Sequence, residues 1–321
     1  MEPTRRNVFT TYTILGLAAS VMMGWSYLGA EIYCRVDEWL VNQEAGVLRW
    51  LSWLFRCPWT DILVQYVFIL GVGYLLMGLI ACLVPKDPRK QEKLSGEDFL
   101  VCLTASMGIG FLLNMVGTEI NYVISQFTGK NYLDMNPVTD MVMDLSPSMI
   151  MYSCILGPFM EEVLFRGIFL KRARLYGDRT AVVFTAIMFG LMHGNLSQFL
   201  YAAAIGLFFG YVAVKSNGNR YTVLLHMIVN SYGTIIVLGE EVISRVDPLI
   251  LPIFYTIGTF VTMMVLIVGG IIAVVKYAPV WYRQLTWNNG LASPNKKYVY
   301  LNPGFLIYLA VCLMEVVGYM V

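Results

Sequence analysis

Long apolar segments, each about as long as a lipid bilayer is thick, recur along the chain of 321 residues. A helix needs about 20 apolar residues to cross about 30 Å of hydrocarbon. Nine segments are candidate spans: 8–30, 62–84, 99–119, 148–170, 180–195, 196–214, 221–238, 249–275 and 304–321. The fifth and sixth are short and are joined by Asn195-Leu196-Ser197, which predicts a tight helical hairpin.

Composition agrees with a membrane protein. The chain is 58% hydrophobic and 13% charged, with a mean hydropathy of +0.64, whereas soluble domains have about 45–50% apolar and about 25% charged residues. The net charge is +1 and no basic, aromatic-laced patch is present, so no nucleic-acid partner is expected. The predicted fold class is all-α: a polytopic transmembrane bundle of about eight or nine spans. The first apolar run is too long for a signal peptide and is expected to be a retained span.

Lysine and arginine placement predicts the orientation of these spans. With the N-terminus inside, 16 of the 22 lysines and arginines fall in inside segments and five in outside segments. The remaining one, Arg166, lies within a span. The sequence therefore predicts a cytoplasmic N-terminus.

The first outside loop, residues 31–61, has apolar residues at near-helical spacing. An amphipathic helix in the membrane interface is expected there, anchored by Trp39, Trp50, Trp53 and Trp59. Simple packing of a surface helix explains the same pattern, so a role in guiding substrate is left open. Cys34 and Cys57 flank this loop and could pair if it faces an oxidising compartment, which is also left open.

The most unusual stretch is Phe159-Met160-Glu161-Glu162-Val163-Leu164-Phe165-Arg166-Gly167, because it places three ionisable groups inside an apolar span. Such groups are costly at bilayer depth and usually face a protein interior or a wet cavity. Glu162 and Arg166 are four residues apart, so they can pair on one helix face, while Glu161 points about 100° away. Pro158 predicts a kink or break beside the glutamates.

Both histidines of the chain, His193 and His226, also lie in apolar spans. A membrane histidine often only bridges helices by a hydrogen bond. Here His226 and Asn230 share one helix face, as do Phe189 and His193, because each pair is four residues apart. From their distances to the span ends, these groups converge only if the helices tilt or stagger.

Two carboxylates, two imidazoles, an amide and a guanidinium within a membrane indicate water-activating chemistry. A poorly solvated carboxylate can act as general base toward water, and a histidine can hold that water. His226 and Asn230 can donate to a developing oxyanion, and Arg166 can fix Glu162. No HExxH motif, serine-nucleophile turn or pair of membrane aspartates is present, so other intramembrane protease designs are excluded.

Three ordered motifs resemble those of the CPBP (Abi) family, which includes the type II CAAX prenyl endopeptidases. They are Glu161-Glu162-x-x-x-Arg166, Phe189-x-x-x-His193 and His226-x-x-x-Asn230, and the resemblance covers about residues 99–240. It implies glutamate-dependent intramembrane proteolysis in an α-helical core. By resemblance, Glu161 is the base and His193 positions the water. His226 and Asn230 then form the oxyanion site, Glu162 and Arg166 support it, and Phe189 is a candidate lining residue for substrate.

The resemblance divides the chain into N-terminal spans with the amphipathic loop (1–98), a catalytic core (99–240), and C-terminal spans with an interfacial segment (241–321). An integral protein of a bacterial cell membrane is expected, and the lysine and arginine bias predicts that the site lies nearer the cytoplasmic side. Its partners would be membrane lipid and a peptide or lipidated protein. Oligomeric state is not predicted.

Two questions stay open at the level of sequence. The first is whether the chain is a protease, a non-catalytic scaffold or immunity factor with the same fold, or a transporter, although no internal repeat supports a transporter. The second is whether a metal takes part. Metal-free catalysis is expected, and the alternative is a zinc site formed by Glu161, His193 and His226.

Overall fold

The computed structural model describes residues 5–42, 46–57, 60–132, 134–137, 143–246, 249–285 and 295–320. Within these ranges the chain forms helices joined by turns and short connections. We number them in chain order: α1 Arg5–Val41, α2 Gly46–Arg56, α3 Leu63–Ala81, α4 Gly96–Thr128, α5 Pro147–Tyr176, α6 Asp178–Leu191, α7 Leu196–Ser216, α8 Arg220–Val246, α9 Ile250–Gln284, α10 Lys296–Tyr300 and α11 Pro303–Met320. The all-α polytopic bundle is confirmed.

Eight of the described helices are long and apolar enough to cross a membrane, one fewer than the nine candidates. The fifth candidate, 180–195, is α6, which has only 14 residues and would extend about 21 Å. The predicted hairpin is confirmed, because α6 and α7 pack side by side. Asn195 begins α7 as its N-cap, accepting a hydrogen bond from the backbone N–H of Gln198 at 2.9 Å. The α6–α7 hairpin therefore turns back within the depth of the bundle.

The prediction of one amphipathic helix across the loop 31–61 is wrong in detail. Residues 31–41 continue α1, and α2 is a separate amphipathic helix of 11 residues that includes Trp50 and Trp53. Both tryptophans are exposed, and Trp59 lies outside the described residues. Cys34 and Cys57 are both free.

The first part of the C-terminal polar stretch is helical. Helix α9 continues to Gln284, so residues 277–284 extend it beyond the candidate span 249–275. Trp281 is buried in a cluster with Phe208 and Tyr211. The interfacial position of the stretch stays a prediction, and Trp287 lies outside the described residues.

Segments predicted to share the inside face do lie at one end of the bundle. The backbone N–H of Asp87 donates to the carbonyl of Lys171 at 2.7 Å, and that of Glu92 donates to the carbonyl of Ser216 at 2.8 Å. At the other end, Lys130 Nζ donates to the carbonyl of Gly318 at 3.3 Å. The alternation of the spans is therefore consistent with the charge pattern, while the identity of each face stays a prediction.

A buried ion cluster ties these inside segments together. Arg89 pairs with Asp87 and with Asp178, the latter at 2.8 Å, and Arg174 pairs with Asp178 at 2.9 Å. Burial of Asp87 acts to raise the pKa of its carboxyl, but the hydrogen bonds and charge of Arg89 outweigh burial and hold that pKa below its ordinary value. The cluster stabilises the start of α6 next to the end of α5.

Glycines allow two close helix crossings. A Cβ at Gly108 of α4 would overlap the backbone of α9 at Leu266 and Gly270, and a Cβ at Gly16 of α1 would overlap that of α11 at Gly304. Small residues at such crossings let membrane helices approach until their backbones touch. The second crossing fixes α11 against α1, so both helices line the cavity described below.

Candidate active site

Helix α5, which bears both glutamates, contains two π-helical segments, Tyr152–Leu156 and Val163–Leu170. The helix does not break at Pro158: Leu156 and Gly157 keep helical backbone angles, and the irregularity beside the proline is a π segment. A π turn pairs residue i with i+5, and π segments are frequent at functional sites.

Pro158 creates an opening for a side chain from another helix. In the π segment the N–H of Gly157 donates to the carbonyl of Tyr152, five residues back. By the same pattern the carbonyl of Ser153 would accept from residue 158, which as proline has no N–H. Asn230 of α8 takes this place, because its Nδ2 donates to the Ser153 carbonyl at 3.0 Å. The amide is thereby oriented, and its second N–H remains for another acceptor.

Glu162 is the centre of a buried charge network. Its Oε1 accepts from Arg166 Nη1 at 2.8 Å and lies 3.0 Å from His226 Nδ1. The side chains of Glu162 and Arg166 are 0% and 1% exposed, which confirms the pairing predicted from their spacing. Because an ionised carboxylate only accepts, we assign the Nδ1 proton of His226 to this bond. Glu162 therefore fixes the ring orientation of His226, with its Nδ1–H directed at the carboxylate.

Phe189 is the packing centre of the site rather than only a lining residue. Its ring meets the rings of His193 and His226 edge to face, with centroids 5.2 and 5.9 Å apart. The guanidinium of Arg166 lies 4.3 Å from its centroid, a cation–π contact. The side chain borders the cavity yet is only 2% exposed. Phe189 therefore holds both histidines and the arginine in place.

Glu161 faces a cavity of about 460 Å³ that reaches into the bundle. His193, His226 and Asn230 border the same cavity, whereas Glu162 and Arg166 lie behind it. Oε2 of Glu161 is 3.9 Å from Nε2 of His226, too far for a direct hydrogen bond. The structure thus brings all the predicted residues into one site.

His193 reaches the cavity from the tip of the α6–α7 hairpin. Its Nδ1 lies 2.8 Å from the carbonyl of Phe189. A carbonyl only accepts, so we assign the proton to Nδ1, which leaves a lone pair on Nε2 in the neutral ring. Such a nitrogen can accept a hydrogen bond from water.

The donors of the alternative zinc site do not form a metal centre. Within the described ranges, no three histidine, cysteine, aspartate or glutamate side chains are grouped closely enough to hold a metal ion. A catalytic zinc ion needs three protein ligands at about 2.0–2.2 Å. The dependence of the reaction on a metal stays an untested prediction.

Sequence reasoning missed several members of the site. Ser153 and the cavity-lining tyrosines Tyr74, Tyr152 and Tyr201 resemble ordinary span residues, and Glu315 is an isolated carboxylate in the last apolar segment. Of these residues, only Ser153 could have been found from the sequence, because a proline, which lacks an N–H, follows it five residues later. The others lie on helices whose sequence separation hides their proximity.

Comparison with known proteins supports the resemblance for this part of the chain. Residues 144–232 match the family model described as "Type II CAAX prenyl endopeptidase Rce1-like". This range contains all six predicted catalytic residues and is shorter than the expected 99–240. The chain is also 24% identical over 169 residues to the Bacillus subtilis (strain 168) protein named "Putative membrane peptidase YdiL". That match covers 50% of this chain and 68% of the relative. No solved structure gives a significant match.

Both comparisons support a CPBP/Rce1-like membrane peptidase. The eight apolar helices support an integral membrane protein, and a protease family implies a peptide substrate and a lipid environment. Of the alternatives left open by the sequence, the comparisons favour the peptidase over the scaffold and the transporter.

Proposed function

We propose that this Rce1-like membrane protein is an intramembrane endopeptidase in which Glu161 activates the attacking water. The observation that carries the proposal is the position of Glu161, whose carboxylate faces the same cavity as His193, His226 and Asn230 and lies 3.9 Å from His226 Nε2. A water in this cavity has polar partners in a site that is largely shielded from bulk solvent. The substrate would be a membrane-associated or lipidated peptide.

In the proposed reaction, a water donates one hydrogen bond to Glu161 and another to the lone pair on Nε2 of His193. Glu161 takes a proton as the water oxygen attacks the carbonyl carbon of the scissile bond. The carbonyl oxygen becomes an oxyanion. When the tetrahedral intermediate collapses, the carbon–nitrogen bond breaks and Glu161 gives its proton to the leaving amine.

Asn230 and His226 stabilise the oxyanion in this proposal. Asn230 uses the N–H that the Ser153 carbonyl leaves free. His226, in its doubly protonated form, donates from Nδ1 to Glu162 and keeps its Nε2–H for the oxyanion. Glu162 and Arg166 act through His226 and are positioning residues.

We propose that the protein lies in a bacterial cell membrane with the basic connections at the cytoplasmic face, in accordance with the charge bias. His226 is six residues from the start of α8 at that face, about 9 Å of helix rise. The catalytic groups would then lie nearer the cytoplasm. The cavity also extends to Asp144, which lies just before the start of α5 at the opposite face, so a second approach from that side is compatible with the geometry.

The test is cleavage of prenylated and unprenylated peptides by purified protein in nanodiscs, with products identified by mass spectrometry. Loss of the general base in Glu161→Gln should lower the rate by about 10²–10⁴-fold. Glu119→Gln is the matched control, because Glu119 is an exposed carboxylate on α4 and should leave the rate unchanged. Equal rates for the wild type and Glu161→Gln would refute the role of Glu161.

A chelator arm tests the metal question separately. If catalysis is metal-free, protein that has been treated with a chelator keeps its cleavage rate after the chelator is removed. A loss that zinc restores would overturn the metal-free mechanism while leaving the peptidase assignment in place.

A further inference from the structure

A second carboxylate, Glu315, enters the cavity from α11. The carboxyl group contacts Gly194, the residue that follows His193 at the tip of the α6–α7 hairpin, so that any Cβ at position 194 would overlap it. Gly194 has φ +65°, a left-handed conformation that glycine adopts at little cost. The glycine therefore leaves room for the carboxyl of Glu315 beside the histidine.

Glu315 has no partner that accounts for its position. Its Oε2 is buried without a hydrogen-bond partner, and no ion pair to it is found in the described part of the chain. A buried, unsatisfied carboxylate oxygen is costly and rare in native proteins. By contrast Glu162, whose side chain is 0% exposed, is paired with Arg166.

The cavity has an excess of acidic groups. Three carboxylates border it, those of Asp144, Glu161 and Glu315, and no described lysine or arginine does so. Arg166, the nearest catalytic cation, is already paired and lies behind the cavity wall. Carboxylates without a neighbouring lysine or arginine, in a cavity with low-dielectric walls, favour cationic ligands.

We propose that Glu315 is a specificity residue that binds a cationic group of the substrate: a lysine or arginine side chain, or a free amino terminus. The proposal rests on the proposed function, because the peptide that Glu315 anchors is the one held against Glu161. It narrows the substrate class to membrane peptides with a basic group near the scissile bond. Glu315 acts in binding and takes no part in the transfer of protons.

Binding tests the proposal without cleavage. The probes are fluorescent apolar peptides of 20 residues, in which one lysine is moved along the sequence, each paired with its Nε-acetyl-lysine twin. The protein is Glu161→Gln in nanodiscs, so no peptide is cut. Losing one charge-assisted hydrogen bond in a dry site corresponds to about a tenfold or greater loss of affinity. We expect this preference for lysine over acetyl-lysine at one or two positions.

The preference should disappear in Glu161→Gln/Glu315→Gln, because the neutral amide keeps the shape of the side chain and loses its charge. The matched control is Glu161→Gln/Asp144→Asn, because Asp144 borders the same cavity. This control variant should keep the preference for lysine. No preference at any position, or a preference that survives Glu315→Gln, would overturn the proposal. Size-exclusion profiles establish that each variant is folded.

The same peptides, given to protein with Glu161 intact, separate the two proposals. Cleavage that does not depend on the lysine charge leaves the peptidase in place and removes the role of Glu315. Charge-dependent binding without cleavage of any bound peptide supports the role of Glu315 in binding and contradicts the proposed peptidase reaction. In the expected result, Glu315→Gln raises KM for lysine peptides by about tenfold, with kcat within about threefold of wild type.

Discussion

The buried pair of Glu162 and Arg166 gives the sharpest prediction about stability. In Arg166→Met the methionine fills much of the arginine volume but carries no charge. Glu162, whose side chain is 0% exposed, then keeps its contacts with His226 and Thr222 but loses the guanidinium beside it. Removing one partner from a buried ion pair costs about 3–5 kcal/mol, because the remaining charge is left uncompensated. We expect a loss of that size in the free energy of unfolding.

The chain provides a matched control with the same spacing. Glu241 and Arg245 also form an i, i+4 pair on α8, but their side chains are 45% and 76% exposed. Exposed pairs of this kind contribute about 0.3–0.5 kcal/mol. Arg245→Met should therefore have almost no effect on the free energy of unfolding.

A third variant distinguishes charge burial from packing. Glu162→Gln/Arg166→Met removes both charges and leaves a side-chain oxygen to accept from His226. We expect this double variant to recover at least half of the stability lost in Arg166→Met. All variants would be compared by equilibrium unfolding in mixed detergent micelles, followed by tryptophan fluorescence. A cost below about 1 kcal/mol for Arg166→Met, similar to the control, would refute the reasoning.

Three further predictions concern the connections and the site. Arg89 lowers the pKa of Asp87. The contribution of the Asp87 carboxylate to stability is therefore complete above the ordinary carboxyl pKa and is lost as pH falls through the lowered value. Asp87→Asn should remove this acid dependence of the unfolding free energy. Gly194→Ala strains a left-handed residue and overlaps a carboxyl, so it should cost at least about 1 kcal/mol in the same assay, whereas Gly24→Ala, which meets open space, should not. Asn230→Asp loses both N–H donors and should lower kcat in the peptide assay by about 10²-fold or more. An unchanged kcat would refute the role of Asn230 at the oxyanion.

The sequence predicted the parts of this protein that depend on local spacing. The pairing of Glu162 with Arg166 follows from four-residue separation on a helix, and the α6–α7 hairpin follows from two short apolar runs around Asn195. The alternation of spans followed from lysine and arginine placement. These features depend on a few neighbouring residues or on composition, which a single sequence displays directly.

Other parts depend on contacts that a single sequence does not display. The π segments of α5 are of this kind, because the pattern of apolar residues is almost the same for π- and α-helices. The contact of Glu315 with Gly194 joins residues far apart in the chain, and it requires the crossing of α1 and α11. The length of α6 was overestimated because its apolar run continues past the point where the chain turns.

The π segment before the glutamates also sets the rotational register of everything that follows it in α5. Converting a π turn into an α turn is equivalent to deleting one residue, which rotates the later side chains by about 100° about the helix axis. Pro158→Ala would restore an N–H and favour that conversion. Glu161 would then turn away from the cavity, so a substitution that makes the helix more regular would disable the site. A regular helix and a working site therefore exclude each other at this position. Selection for thermostability alone should favour substitutions of Pro158 that abolish activity.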